Sequence, residues 1–278
     1  MDLNKPDGVM RISLENVNSL SISNKRRSKN MRPAIIDQNR KRSSTDIICT
    51  VENQRHFNLV DEHLQYEELV GPGEQKVAVA GFNEHCQIFN QPGGVGMGAF
   101  GAISATARDG KDESGLGRAV WITIEYNDHK FRIVTGYRPC DYRNKAPGKR
   151  GDRNTVWHQH RRYYREKGIQ DPNVVELYDD YLFGLLQQWR SDGDEVLLLI
   201  DANENVYKGR FARRLADKKV NLKSVYTHLH KKKMPFSHIT GKQPIMGAFA
   251  SPGVDSSSYF IGDFKLGVGD HRLSLIHI

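Results

Sequence analysis

Four short stretches carry side chains that can bind a divalent cation or move a proton: "ENVNSL", "DIICTVE", "LLLIDANE" and "GVGDHRL". In each, a strand-like apolar run ends in an acid, an amide or a histidine. The residues are Asn16 with Asn18, Glu52, Asp201 with Asn203, and Asp270 with His271. Hard oxygen donors of this kind, without clustered cysteine or histidine, favour magnesium or manganese over zinc. A buried strand such as "VLLLI" does not normally run into Asp-x-Asn unless those groups find partners or a cation. Each residue also has an ordinary reading. Asp201 and Asn203 can cap a turn, Glu52 can be a surface acid, and "GDHR" can be a turn. Their repetition at strand ends, in one order, speaks for a site, because a sheet holds the backbone while the side chain projects into a cleft.

The elements that must carry these groups are legible from periodicity. "MRISLENV" alternates apolar and polar residues, as a half-buried strand does. "DIICTVE", "KVAVAGF", "GGVGMGAFGAI", "RAVWITIEY", "FRIVTGY", "EVLLLIDANE", "PIMGAFAS", "SSYFI" and "HRLSLIHI" read as further strands. "LVDEHLQYEELV", Thr155–Lys167 and Val174–Trp189 read as helices, with more helix near Gly209–Asp217. Pro33 limits any helix in the basic segment before "DIICTVE" to one that starts near it. Strand pairs interrupted by helices point to two sheets packed face to face with helices outside.

The chain has 278 residues, 38% hydrophobic and 27% charged, which suits a domain with a sizeable core. Residues 1–9 are expected to be a flexible tail. A single domain is expected over 10–278, with truncation at its C-terminus left open. No apolar run approaches the roughly 20 residues that span a bilayer, and the N-terminus lacks a signal peptide's apolar core. Three cysteines, an odd number without metal-ligand spacing, suit a reducing, intracellular compartment.

The net charge of +8 is unevenly spread. Residues 25–42 hold eight basic and one acidic residue, 141–167 nine and three, and 207–233 ten and one. The three runs carry +22 against −14 elsewhere, a pattern that suits a polyanion-binding surface around an acidic metal site. Solvated helix faces are the bland alternative for any one run.

The order Asn-Val-Asn, Asp-Ile-Ile-Cys-x-x-Glu, Thr-Gly-Tyr-x-Pro, Asp-x-Asn and Asp-His resembles the endonuclease/exonuclease/phosphatase superfamily. The likeness runs from "ENVNSL" to "GDHRLSL", essentially the whole chain. "TGYRP" is similar to the exonuclease III, apurinic endonuclease and retroelement endonuclease branch, and the Asn-Thr-His strand of the other branches does not occur. "DANENVYKGRFARRLA" and "GVGDHRL" resemble retroelement-type members. The resemblance implies an α/β (α+β) fold, a four-layer DNase I-like sandwich of two mixed sheets flanked by helices. It implies phosphodiester hydrolysis assisted by Mg2+ or Mn2+, with Asn16, Glu52 and Asp270 as metal ligands. Asp201 would orient or deprotonate water, and Asn203 would hold that water or a phosphate oxygen. His271 would hydrogen-bond the phosphate and stabilise the charge that develops on it, and Tyr137 would donate to the phosphate or help the leaving oxygen depart. Asn18, Arg138, Arg161 and Arg162 would bind substrate, with Tyr163 and Tyr164 available for base stacking.

The implied partner is nucleic acid, double-stranded DNA in particular, with no membrane and no sign of an oligomer. A retroelement endonuclease would be nuclear. A nucleic-acid-binding relic and a phosphatase for a small phosphorylated lipid or inositol are the competing readings.

The chain departs from the family pattern at four places. Ser19 and Ile200 replace usual glycines, Cys140 replaces an asparagine, and Met246 replaces an aspartate that accepts a hydrogen bond from the histidine equivalent to His271. A thioether is a weak, uncharged acceptor and cannot set a histidine tautomer as a carboxylate does. Asp255 or Asp263 is the nearest substitute in sequence.

Overall fold

A computed structural model describes residues 5–20, 31–59, 75–88, 90–126, 128–143 and 155–278. The helix expected in "LVDEHLQYEELV" and parts of the first two basic runs lie outside those residues. In chain order the elements are β1 (Arg11–Asn16), α1 (Met31–Ser43), β2 (Ile47–Val51), β3 (Gln75–Gly81), β4 (Val95–Phe100) and β5 (Ala107–Lys111). They continue with β6 (Ala119–Tyr126), β7 (His129–Tyr137), α2 (Val156–Glu166), α3 (Val174–Ser191) and β8 (Glu195–Asp201). The last are α4 (Gly209–Leu215), β9 (Lys223–Ser224), α5 (Val225–His230), β10 (Met246–Ala250), β11 (Ser258–Ile261) and β12 (Ser274–His277).

Two mixed six-stranded sheets result, in the orders β11-β12-β1-β2-β4-β3 and β5-β6-β7-β8-β10-β9. Each has one parallel pair at its centre, β1 with β2 and β7 with β8. Strand alternation builds the layers. Ile12, Leu14, Ile47, Cys49, Val51, Ile133, Leu197, Leu199 and Ala248 fill the space between the sheets. Val196, Leu198 and Ile200 point the other way, onto Tyr178, Leu182, Phe183 and Leu186 of α3 and Phe211 of α4. Ile36 of α1 packs with Ile48 and Phe100 on the outer face of the first sheet. The order is therefore helix, sheet, sheet, helices, as the alternation implies.

Local chemistry sets the helix starts. Thr155 accepts from the His158 amide and Asn173 from the Glu176 amide, each satisfying a donor that a first turn leaves free. Pro33 falls in the first turn of α1, where no backbone N–H is needed. β5 is a strand that the periodicity does not announce. Its sequence "ARDGK" is polar and partly exposed because it lies at a sheet edge, and its Gly110 lets the Trp121 indole of β6 lie across it. Of the tail expected at residues 1–9, Lys5 is tied to both carboxylate oxygens of Asp46 at 2.7 and 2.8 Å. Among the described residues no helix is long and apolar enough to cross a membrane.

Candidate active site

Parity along the strands puts the chemistry at one end of the sandwich. Asn16 closes β1 in the same inward phase as Ile12 and Leu14, and Asp201 closes β8 in the phase of Leu197 and Leu199. Register aligns Tyr137 with Asp201 and Asp201 with Met246, while Asn16 pairs with Val51 just before Glu52. Two parallel pairs, one per sheet, thus deliver their C-terminal ends to the same place.

The groups meet by hydrogen bonds. Asn16 Nδ2 donates to Asp201 Oδ2 across the sheets at 2.9 Å, with both residues almost fully buried. Asn18 donates its backbone N–H to Asn16 Oδ1 at 3.0 Å and its amide Nδ2 to Asp270 Oδ2 at 3.1 Å. The Tyr137 hydroxyl donates to Glu52 Oε1 at 2.5 Å. The Asn203 N–H reaches Asp201 Oδ1 at 3.1 Å, and its side-chain Nδ2 donates to the Arg138 carbonyl at 2.7 Å. Asn16, Asn18, Asp201, Asn203 and Asp270 therefore form one connected set, and Glu52, whose carbonyl accepts from the Ser19 N–H at 2.8 Å, brings Tyr137 beside it.

Backbone conformation marks the same region. Asn18, Ser19, Glu52, Gln54 and Asn203 all have positive φ, from 41° to 82°, which costs non-glycine residues free energy and persists where the surroundings fix it. Ser19, at φ 82°, sits where the family's usual glycine would be free of that strain. The other lost glycine is accommodated differently. Ile200 faces α3 and lies opposite Gly136, whose missing side chain leaves its room.

Electrostatics define what the set lacks. Burial raises the Asp201 carboxyl from its ordinary 3.8 to about 7, and the charge of Glu52 adds to the rise; the Asn16 amide and the Asn203 N–H oppose it, while Asp270 adds further. Burial, then Glu52, holds the Tyr137 hydroxyl well above its usual range. Asp270 Oδ1 is buried without a hydrogen-bond partner. Carboxylates crowded around a buried acid, with a free inward oxygen, are short of positive charge, and their donors are oxygens. That combination fits a hard divalent cation held by Glu52, Asp270 and the remaining acceptor capacity of Asn16 Oδ1.

His271 is nearly buried and its Nδ1 lies 2.8 Å from the Met246 sulfur. Burial pushes its pKa down to about 4, with Asp270 opposing and His238 reinforcing the shift, so the ring is neutral at neutral pH. Neither Asp255 nor Asp263 replaces the missing carboxylate. Asp263 is exposed beside Arg272, and Asp255 lines a groove with Ile124, Phe131 and Glu195 at the opposite ends of the strands. The nearest acid to Nδ1 is Asp201, at 4.0 Å.

Arg138 has a different task from the substrate contact expected of it. Its guanidinium is buried, donates to both oxygens of Asp179 at 2.6 and 3.0 Å, and also reaches Glu204 and the Ala202 carbonyl. It locks the ends of β7 and β8 to α3, with four of its five N–H donors engaged inside the protein. Arg161 pairs with exposed Asp171 at 3.1 Å and covers Trp157, while Arg162 is exposed on the same helix. Tyr164 is core, accepting from Arg118, and Tyr163 packs on His85. Of the four substrate-binding candidates, Asn18 is the one whose side chain is joined to this set; Arg138 touches it through its backbone.

Three supports escaped sequence reading. His238 donates from Nε2 to Asp270 Oδ2 at 3.2 Å and crosses His271 edge-on. Glu15, on the outer face of β1, accepts the amides of Val268 and Gly269 ahead of Asp270. Arg32 of α1 donates to the carbonyls of Val17, Asn18 and Ser19. A lone histidine in a loop and single charges on polar stretches carry no periodic signal. For Glu15 the cue is an acid inside an otherwise strand-like alternation.

No family model matches the chain, and no curated protein matches it in sequence. Solved structures do. An AP endonuclease from Leishmania major is 11% identical with a TM-score of 0.67, the match covering 97% of this chain and 87% of that one. The human Nocturnin catalytic domain with bound sulfate is 13% identical at TM-score 0.62, covering 97% and 92%. A 3'-5' exonuclease from Neisseria meningitidis is 12% identical at TM-score 0.62, covering 96% and 98%. With its two mixed six-stranded sheets between helices, the chain has the fold of the endonuclease/exonuclease/phosphatase proteins, as the ordered motifs imply.

Proposed function

We propose that the chain is a divalent-cation-dependent phosphodiester hydrolase acting on DNA, of the retroelement endonuclease type, with a rate lowered by Met246. The observation that supports it best is the bond from Asn16 to Asp201 across the two sheets, with Asn203 on the second oxygen of that acid. A carboxylate held at both oxygens and raised toward neutrality is a suitable acceptor for the proton of an attacking water. When bound, magnesium would neutralise charge on the phosphate and lower the pKa of nearby acids. Glu52 and Asp270 would hold it, and Asn18 fixes Asp270 in place. The Tyr137 hydroxyl, kept protonated, can donate toward the phosphate once Glu52 is engaged elsewhere. His271 can offer one N–H to a phosphate oxygen but, as a neutral ring, no charge.

The contact between His271 and a thioether supports a second reading, a nucleic-acid-binding relic with little turnover. One experiment separates the two. Supercoiled plasmid is incubated with protein and magnesium, with EDTA, and with Asp201→Ala and Met246→Asp variants. Magnesium-dependent nicking that Asp201→Ala abolishes and Met246→Asp accelerates is the expected result. Loss of a histidine-orienting carboxylate costs on the order of 10⁴ in rate in a serine protease, which bounds the gain from restoring one. Absence of nicking by folded wild-type protein together with tight DNA binding would establish the relic.

A further inference from the structure

The loop before β10 brings a second histidine to the site. His238 pairs with His271 as an isolated antiparallel bridge, fixed by Ile239 N–H to the Asp270 carbonyl at 3.0 Å and Arg272 N–H to the Ser237 carbonyl at 2.9 Å. The rings cross at 74° with centroids 4.8 Å apart. Between them lies Asp270, with Oδ2 3.2 Å from His238 Nε2 and Oδ1 3.9 Å from His271 Nε2. We infer that His238, Asp270 and His271 form a binding site for a zinc-class transition-metal ion, which shares Asp270 with the all-oxygen magnesium site, draws its other ligands from histidine and is incompatible with catalysis.

Three observations carry it. One ligand atom from each residue lies within 4.8 Å of the other two, and bonds of about 2.0–2.2 Å in a tetrahedral site put ligand atoms roughly 3.3 Å apart. About an ångström of side-chain movement closes the difference. Asp270 Oδ1 is buried and unpartnered, so a cation there would satisfy an orphaned acceptor. The tautomers can also follow. The Thr240 N–H now points at His238 Nδ1, which puts the proton on Nε2; the Thr240 hydroxyl, 3.0 Å from the same nitrogen, can accept that proton's hydrogen bond after it shifts to Nδ1. His238 then ligates through Nε2 with its other N–H held, the usual arrangement of a metal-bound imidazole. Two imidazoles and one carboxylate select zinc, cobalt or nickel over magnesium.

Such an ion occupies Asp270 and His271 together, so under the hydrolase reading it blocks the step those residues serve. The test does not depend on that reading. Cobalt(II) is titrated into the full chain and followed by its visible ligand-field absorption, then displaced with zinc. Saturable binding of one ion per chain, weakened at least tenfold by His238→Gln and by His271→Gln but not by His228→Gln on the exposed face of α5, is the expected result. Circular dichroism confirms that each variant is folded. No saturable binding by folded protein, or binding that both site variants leave intact, would overturn the site. If wild-type protein nicks DNA with magnesium, micromolar zinc should stop it, and persistence of nicking in zinc-saturated protein would overturn the incompatibility. If it does not nick, the hydrolase reading fails while the cobalt titration still decides the site.

Discussion

At Asp201 the requirements of folding oppose those of the proposed hydrolysis. Its carboxyl titrates near 3.8 in an unfolded chain and near 7 in the fold, because burial and Glu52 disfavour its charge. The folded state therefore keeps a proton that the unfolded state has released, so stability falls as pH rises from about 4 to 7 and stays low above that. Glu15 adds the same sign between 4.5 and about 7. Asp201→Asn removes the Asp201 contribution and retains an acceptor for the Asn16 amide. Metal-free protein carrying it should melt roughly 3–8 °C higher than wild type at pH 8, from ~2 kcal/mol in a domain of this size. The gain should vanish well below pH 3.8, where the acid is neutral in both states. Equal melting temperatures at pH 8 would show that the acid is not under strain. The residues most legible in the sequence, Asn16, Glu52, Asp201 and Asn203, are those for which a polar group ends or directly follows an apolar strand, a placement that costs stability without a partner, whereas Asp270 lies in the connection ahead of β12. His238 was illegible because its meaning comes entirely from a loop pairing 33 residues distant in sequence.

The elements hold this strained arrangement from behind. The outer surface of the first sheet supplies Arg32, which ties down the left-handed turn at Asn18 and Ser19, and Glu15, which ties down the loop before Asp270. Gly269 lies so close to the Asn16 carbonyl that a Cβ there would approach it to 2.0 Å. Asn16 of β1 and Asp270 of the β11–β12 connection are thus set against each other by groups on the far side of the first sheet. Arg32→Ala is expected to lower stability by about 1–3 kcal/mol, the usual cost of losing hydrogen bonds from a charged donor, as a reduced urea midpoint. It should also raise the magnesium concentration for half-maximal nicking, since Asn18 loses the support that aims it at Asp270. A variant with the lower midpoint but unchanged magnesium dependence would reduce Arg32 to a structural clamp. Strands were read well because both sheets bury one face against the other, and that burial enforces the period of two. Arg138 was misread because its position after Tyr137 in "TGYRP" says nothing of Asp179, supplied by a helix 41 residues later.

Across the whole molecule the charge must be apportioned before it can count toward a substrate. Arg210 and Arg214 in the third basic run are paired with Glu176 and Asp180 of α3, which removes them from any polyanion surface. Lys231, Lys232 and Lys233 are exposed and lead within five residues to His238, at the rim of the catalytic set. A duplex with a phosphodiester at Asp201 would carry flanking phosphates past this rim, whereas a small phosphorylated lipid or inositol has none to offer. The two substrate classes therefore differ in salt dependence. Contacts to roughly five duplex phosphates would give a log–log slope of binding against salt near −4.5, with each lysine removed from such a contact lowering its magnitude by about 0.9. The variant Lys232→Ser with Lys233→Ser should bind a short duplex more weakly at 50 mM salt, with a slope shallower by nearly 2, and should melt as wild type because neither side chain packs. A slope unchanged by the pair would move the DNA track to another face. A wild-type slope near zero would instead favour a small phosphorylated substrate, because counterion release requires a backbone of many charges.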